Sequence, residues 1–204
     1  TRTKSSFEIS GKRLGADVIN MSLSTSSIKK GESLMDTAKT LNAMSSDLYI
    51  MRHPIGGTVK MFEKYIDGSI INAGDGENEH PTQALLDVYT MLENFDTIEG
   101  LNIAIVGDIM HSRVAKSNIY LLQKLGANVT LVGPETLLPM DFKKLGVEVT
   151  DDIDSILGDM DALNLLRLQL ERQGESFFPS VDEYHKIYGM NKARLEKMKD
   201  ESII

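Results

Sequence analysis

The sequence contains no cysteine. That excludes a disulfide framework and any thiolate-built metal site, and it fits a reducing compartment, so a cytoplasmic protein is the expectation. Long apolar runs are missing too. No stretch approaches the ~18 consecutive residues needed to cross a bilayer. Positive charge is in short supply: Lys and Arg number 22 against 30 Asp and Glu, for a formal net charge of −8. No basic stripe offers itself to a phosphate backbone, so nucleic acid is not an expected partner. The four histidines, His53, His80, His111 and His185, show no metal-ligand spacing. Internal repeats and low-complexity tracts are absent. What remains is globular composition, 41% hydrophobic and 25% charged over 204 residues, enough for one large domain or two small ones. The eleven methionines read as core filling.

What is present alternates. "ADVINMS", "DLYIMR", "SIINAG", "LNIAIVGD", "ANVTLVGP", "VEVT" and "DALNLLR" read as strands. Between them lie helical patterns: "ESLMDTAKTLNAM", "TVKMFEKYI", "TQALLDVYTMLENF" opened by Pro81, "RVAKSNIYLLQKLG" closed by Gly126, "MDFKKLG" and "DSILGDM". "DEYHKIYGMNKARLEKMKDES" reads as one more helical stretch, and the final "II" as the start of a strand. Strand–helix alternation implies parallel sheets with helices on both faces, and short, nearly all-apolar strands are what such sheets require. The series restarts near "NFDTIEG". The expectation is therefore an α/β protein of two domains, each a small parallel sheet flanked by helices, with the helix after Pro81 bridging them.

In open parallel sheets, ligands collect at the carboxyl ends of strands. The polar clusters fall there: "RHPIGG", "GDGENEHPTQ", "GDIMHSR" and "RLQLERQ". That recurrence points to an enzyme. Arg2, Arg52, Arg113 and Arg167 each stand beside an expected strand end or helix start, as a binder of small anions requires.

Each cluster also has a plainer reading. Thr1-Arg2-Thr3 is an anion site at a helix start or an exposed cap with a solvated arginine, and taken alone the second fits better. Arg52 is a bidentate clamp or a turn arginine, with the two evenly matched. His80 and Gln83 share one helix face, so His80 can donate to a carbonyl oxygen and Gln83 can read an amide; the alternative is a simple cap and an exposed side chain. "STSSIKKGES" runs into Lys29, Lys30 and Gly31 without Walker spacing, and a solvated loop is its default reading. "IVGDIMHSR" lacks the GxGxxG spacing, which leaves dinucleotide binding the weakest option. Arg167 and Gln169 alternate out of a strand and share a face, with Glu171 and Arg172 beside them.

The ordered set of these pieces resembles the aspartate carbamoyltransferase branch of the aspartate/ornithine carbamoyltransferase family. "TRT" followed by "SFE" is similar to that family's Ser-Thr-Arg-Thr phosphate motif without its leading Ser. "STSSIKKGES", "MRHP", "NAGDGENEHPTQALLD", "VGDIMHSRVAKSN" and "LLRLQLER" follow in the family's order over essentially the whole chain. The ornithine branch shares the phosphate motif and the His-Pro-x-Gln helix. Its typical segments carry cysteine, whereas Thr82 follows Pro81 here, and "KKGE" and "RLQLER" favour aspartate.

The resemblance implies the family's two-domain fold, with carbamoyl phosphate bound by residues 1–94 and L-aspartate by residues 95–204. It implies that Thr1, Arg2 and Thr3 hold the phosphate and that Arg52 bridges phosphate and carbonyl oxygen. His80 polarises the carbonyl, and Gln83 binds the carbamoyl nitrogen. Ser26 and Lys30 reach a neighbouring subunit's site, so sites are shared in a homotrimer. Arg113, Arg167 and Gln169, with Lys30, hold the aspartate carboxylates. No metal or organic cofactor is implied. A regulatory chain or a fused or associated pathway enzyme is a further partner the resemblance leaves open. Lys4 stands where the family usually has Arg, which keeps the charge but not the fork geometry. The family also has a helix and strand before the phosphate motif, and a His-Pro segment, a second site loop and closing helices after the final "II". The expectation is a portion of a longer protein. The alternatives are an ornithine enzyme and a truncated, inactive homologue that serves as a scaffold.

Overall fold

Apolar strands covered on both faces organise the second of the two units into which the computed structural model divides, Thr1–Gly76 and Glu77–Ile204. The structure describes residues 2–21, 33–167 and 180–204.

The first unit contains α1 (Arg2–Arg13), α2 (Leu34–Asn42), β1 (Leu48–His53), α3 (Thr58–Phe62) and β2 (Ser69–Asp75). β1 and β2 pair in parallel, with Leu48 opposite Ser69 and Met51 opposite Asn72. Ser33 caps α2 by accepting from the Asp36 amide. Along β1, Tyr49 and Met51 turn into a core with Ala38, Val59, Phe62 and Ile66. Leu48 and Ile50, on the opposite face, are exposed. Two-faced cover, expected of every sheet, thus does not hold for β1 among the described residues. Ala16–Met21 belongs to no strand either. Apolar content suggested one, but a strand needs a neighbour, and Ile19 is left 85% exposed.

The second unit begins ahead of α4 (Pro81–Leu92), which therefore belongs with the second sheet. β3 (Asn102–Val106), α5 (Arg113–Lys124), β4 (Asn128–Val132), β5 (Glu148–Thr150) and β6 (Ala162–Leu165) follow, and then α6 (Val181–Tyr188) and α7 (Lys192–Leu195). The strand order is β5-β4-β3-β6, all parallel. The chain steps from β3 through β4 to β5 in one direction and then returns to pair β6 on the other side of β3. The order therefore reverses between β3 and β6, the place where open parallel sheets commonly take their ligands.

The period-2 alternation of β3 explains its cover. Ile103 and Ile105 join Val88 and Met91 of α4 and Ala115, Ile119 and Leu122 of α5 in one core. Ala104 and Val106 join Ile153, Leu157, Leu163, Tyr188 and Met198 in another. Ile203 bridges Ala162 in parallel, as the strand reading of the final "II" anticipated.

Three helical readings shrink. Met140–Leu145 and Leu157–Asp159 are 3-10 turns, each too short to propagate an α-helix. The last stretch breaks into α6 and α7 because Gly189 stops the first and Asn191 caps the second by accepting from the Arg194 amide.

Arg194 fastens this end. The residue is 8% exposed, and its guanidinium donates to Asp154 Oδ2 at 2.7 Å and to the Gly189 carbonyl at 2.7 Å. Lys197 Nζ donates to Asp154 Oδ1 at 2.8 Å. These two cations, Arg194 foremost, hold the Asp154 carboxyl well below its ordinary value of 3.8. A carboxylate whose folded pKa is depressed contributes stability above the unfolded pKa and loses it as pH falls further. Asp154 is 40% exposed, so solvent screening trims the pair to about 1–2 kcal/mol. Arg194→Met is expected to lose about 2 kcal/mol in denaturant melts at neutral pH, the lost carbonyl bond included. In Asp154→Asn the Tm deficit against the parent is expected to shrink below about pH 4, and a deficit constant into strong acid would contradict the assignment.

Candidate active site

In the first unit, the opening turn of α1 meets the carboxyl end of β1. Arg52 Nη1 donates to Thr3 Oγ1 at 2.8 Å, although 49 positions separate them. Two of the anion-binding candidates are therefore in direct contact, and Arg2 lies on the same turn. Arg2 and Arg52 are exposed. The neighbouring His53 is structural: its Nδ1 accepts from the Ile55 amide at 3.1 Å and lies 2.9 Å from Thr58 Oγ1. Asp75 ties the following turn, accepting from the Gly57 amide at 2.8 Å and from Asn72 Nδ2 at 2.9 Å.

In the second unit, the start of α4 carries His80 at the N-cap and Pro81 at the first helical position, with no acidic residue in the first turn. The positive end of the helix dipole is thus unopposed by a helix side chain. Two bonds from α5 fix this start. Ser117 Oγ accepts from the His80 amide at 2.8 Å, and Lys116 Nζ donates to the Glu77 carbonyl at 2.9 Å. Thr82 Oγ1 stands 3.3 Å from His80 Nδ1. Gln83, on the next part of the turn, donates from Nε2 to Asp87 Oδ1 at 2.8 Å.

Asp87 is also reached from two other elements. Asn118 Nδ2 of α5 donates to its Oδ2 at 2.7 Å, and Asn164 Nδ2 of β6 does so at 3.2 Å. Asn118 is fully buried and gives its other amide hydrogen to the Val114 carbonyl at 3.2 Å. Its Oδ1 is buried without a hydrogen-bond partner among the described residues, a cost of about 1–3 kcal/mol. That cost is tolerated because both neighbours are acceptors and the NH₂ end must face them.

The other two candidate arginines follow the strands that flank the order reversal. Arg113 is the first residue of α5 after the β3 turn, 8% exposed, behind a Ser112 cap that accepts from the Ala115 amide. Arg167 follows β6 and is exposed. Asp108, 2% exposed, accepts from the His111 amide at 3.1 Å and from its ring Nδ1 at 3.0 Å, which shapes the turn leading to Arg113. Gly107 precedes it at φ +136°, and a Cβ there would meet Leu166 Cβ at 3.0 Å and Tyr184 Oη at 3.2 Å. Burial, then the Asp108 charge, then Tyr188 push the Tyr184 hydroxyl up to about 12, so it remains a proton donor at neutral pH.

Thr1, Ser26, Lys30 and Gln169 lie outside the described residues. Asp87, Ser117, Asn118, Asn164 and Asp108 were not among the expected site residues. Only Asp87 left a usable sign, its i,i+4 spacing from Gln83 on a helix. The volume of about 560 Å³ beside the loop after β5 and α6 is not a candidate. Asp151, Asp152, Asp154, Asp182 and Glu183 line it against only Lys186 and Arg194, a balance that repels anions.

Comparison with known proteins bears on these arrangements. Residues 1–93 match the family described as aspartate/ornithine carbamoyltransferase, carbamoyl-P binding domain. Residues 99–204 match aspartate/ornithine carbamoyltransferase, Asp/Orn binding domain. Over all 204 residues the chain is 53% identical to the aspartate carbamoyltransferase catalytic subunit of Halothermothrix orenii, and it spans 65% of that relative's length. It is similar to the aspartate transcarbamoylase of Trypanosoma cruzi solved in complex with carbamoyl phosphate, at 32% identity and TM-score 0.83, covering 100% of this chain and 68% of that one. The same protein in complex with carbamoyl aspartate and phosphate gives 31% identity, TM-score 0.83 and the same coverage.

The tether at the start of α4 has a direct test. Ser117→Ala is expected to cost about 1 kcal/mol of stability and to speed hydrogen exchange at the His80 amide about fivefold. Unchanged exchange at that amide would show that Ser117 does not hold the helix start.

Proposed function

The chain belongs to the aspartate/ornithine carbamoyltransferase family, and from that premise we propose that it transfers the carbamoyl group of carbamoyl phosphate to the amine of L-aspartate. The products are N-carbamoyl-L-aspartate and phosphate, as in de novo pyrimidine biosynthesis. The observation that carries the choice of acceptor is the 53% identity, over all 204 residues, to a protein named aspartate carbamoyltransferase catalytic subunit. Thr82 after Pro81 and the absence of cysteine add to it against ornithine.

The roles follow the chemistry. Thr1, Arg2 and Thr3 bind the phosphate, and the bond from Arg52 to Thr3 supports a second guanidinium acting on the same anion. Ser26 and Lys30 are assigned to the site of a neighbouring subunit in a homotrimer. Arg113, Arg167 and Gln169 take the two carboxylates of aspartate, with Lys30 assisting. The functional domains are assigned as 1–94 for carbamoyl phosphate and 95–204 for aspartate. The setting is the cytoplasm, and among the described residues no helix is long and apolar enough to cross a membrane.

In the reaction, the neutral amine of aspartate attacks the carbamoyl carbon. The carbonyl oxygen gains negative charge, which His80 and Arg52 stabilise. Collapse breaks the carbon–oxygen bond to phosphate, and the leaving phosphate accepts the amine proton. Aligning two anionic reactants requires several fixed cations, because their mutual repulsion opposes approach.

The full-length protein is expected to form carbamoyl-aspartate and to bind a bisubstrate analogue carrying a phosphonate and two carboxylates. Turnover of ornithine in place of aspartate would overturn the acceptor assignment. Absence of both activities would favour the scaffold reading. His80→Ala is expected to cost about 3 kcal/mol of transition-state stabilisation, roughly a hundredfold in kcat, with the fold intact by circular dichroism. For the shared site, mixing Lys30→Ala and His80→Ala subunits is expected to restore activity, and no recovery in verified mixed trimers would refute it.

A further inference from the structure

We propose that Asp87 is a positioning residue that fixes which end of the Gln83 amide faces the substrate, and so makes the carbamoyl NH₂ group a requirement for tight binding. The proposal rests on the functional reading above.

A carboxylate only accepts hydrogen bonds, whereas an amide has one accepting end and one donating end. Asp87 Oδ1 takes Gln83 Nε2 at 2.8 Å. The Gln83 oxygen is thereby the end left for a ligand, and an oxygen selects a partner that carries N–H. Carbamoyl phosphate has that group. An acyl phosphate with a methyl in its place does not.

The polarity is set from beneath. Asn118 is fully buried, and its Nδ2 donates both to Asp87 Oδ2 at 2.7 Å and to the Val114 carbonyl at 3.2 Å. Turning that amide over would set its oxygen against two acceptors. Asn164 Nδ2 adds a second donor to the same Asp87 oxygen at 3.2 Å. Donors from α5 and β6 therefore point at Asp87, and Asp87 in turn faces Gln83 with a second acceptor. Only a group with acceptors on both sides fits. An amide at position 87 would give its oxygen to Asn118 and Asn164 and turn its NH₂ to Gln83. Gln83 would then reverse and present NH₂ to the NH₂ of the substrate.

The test uses the full-length protein and the variant Asp87→Asn. The KM for carbamoyl phosphate is expected to rise about tenfold or more. Inhibition by inorganic phosphate and the KM for aspartate are expected to stay unchanged, because the roles assigned above give neither ligand a contact with Gln83. Competitive binding of acetyl phosphate, which has no N–H to lose, is expected to weaken less than that of carbamoyl phosphate. Adding Gln83→Glu to Asp87→Asn restores an acceptor facing the substrate and keeps the net charge, and most of the loss is expected to return. The proposal is overturned by an unchanged KM for carbamoyl phosphate, by a parallel loss for inorganic phosphate, or by failure of the double variant to recover. Loss of folding in Asp87→Asn also overturns it, since the role assigned is orientation. A parent protein that forms no carbamoyl-aspartate overturns the functional reading itself and this proposal with it. An active parent with an indifferent Asp87→Asn overturns this proposal alone.

Discussion

Ile103 and Ile105 enter one core while Ala104 and Val106 enter another, so β3 has no solvent-facing side. A strand covered this way has only its ends for polar chemistry, and its backbone groups must be met by neighbouring strands. Order within the second unit follows from that constraint. Pairing β4 on one side and β6 on the other creates the reversal of strand order, and the chain leaving β3 must turn sharply at Gly107 before α5 can return across the face. Arg113 and Arg167 both follow the carboxyl ends of strands in that buried ladder, Arg113 at the start of α5 and Arg167 two residues beyond β6.

The same constraint explains the amide network under α4. Asn118 and Asn164 are polar groups beside a largely apolar interior, and each such group demands a partner. A single carboxylate, Asp87, answers both. The arrangement is costly, since one buried amide oxygen goes unmatched. Its return is orientation: α4, α5 and β6 are pinned by hydrogen bonds of one polarity at the point where the helix presents Gln83.

Much of this was legible in the residues. Pro81 at a helix start, Gly126 past a helix end and the short apolar strands each carry a local rule, and the alternation they mark is a parallel α/β pattern that the sheet order bears out. Local rules failed where tertiary context decides. Ala16–Met21 has strand-like residues but no strand to pair with. Leu157–Asp159 has helical periodicity but too little length. In the site, His80 and Gln83 share a helix turn and were readable together. The contact between Arg52 and Thr3 was not, because 49 residues of chain intervene. Asp87 was no expected site residue, and its partners come from helix and strand segments 31 and 77 positions away. Nothing in a linear pattern announces a convergence of that kind.

The approach of β3 to β4 beyond their last paired residues has a consequence for how substitution data on this protein are interpreted. Gly133 lies so close to the Gly107 carbonyl oxygen that a side chain there would overlap backbone, and backbone cannot swing aside as a side-chain tip does. In a saturation scan, position 133 would score with the most intolerant sites and sit near the strand ends that carry the candidate site, inviting assignment to the chemistry. Its intolerance is steric and independent of substrate. Abundance measured alongside turnover separates the two, since a clash lowers the amount of folded protein while a lost ligand contact lowers only the rate.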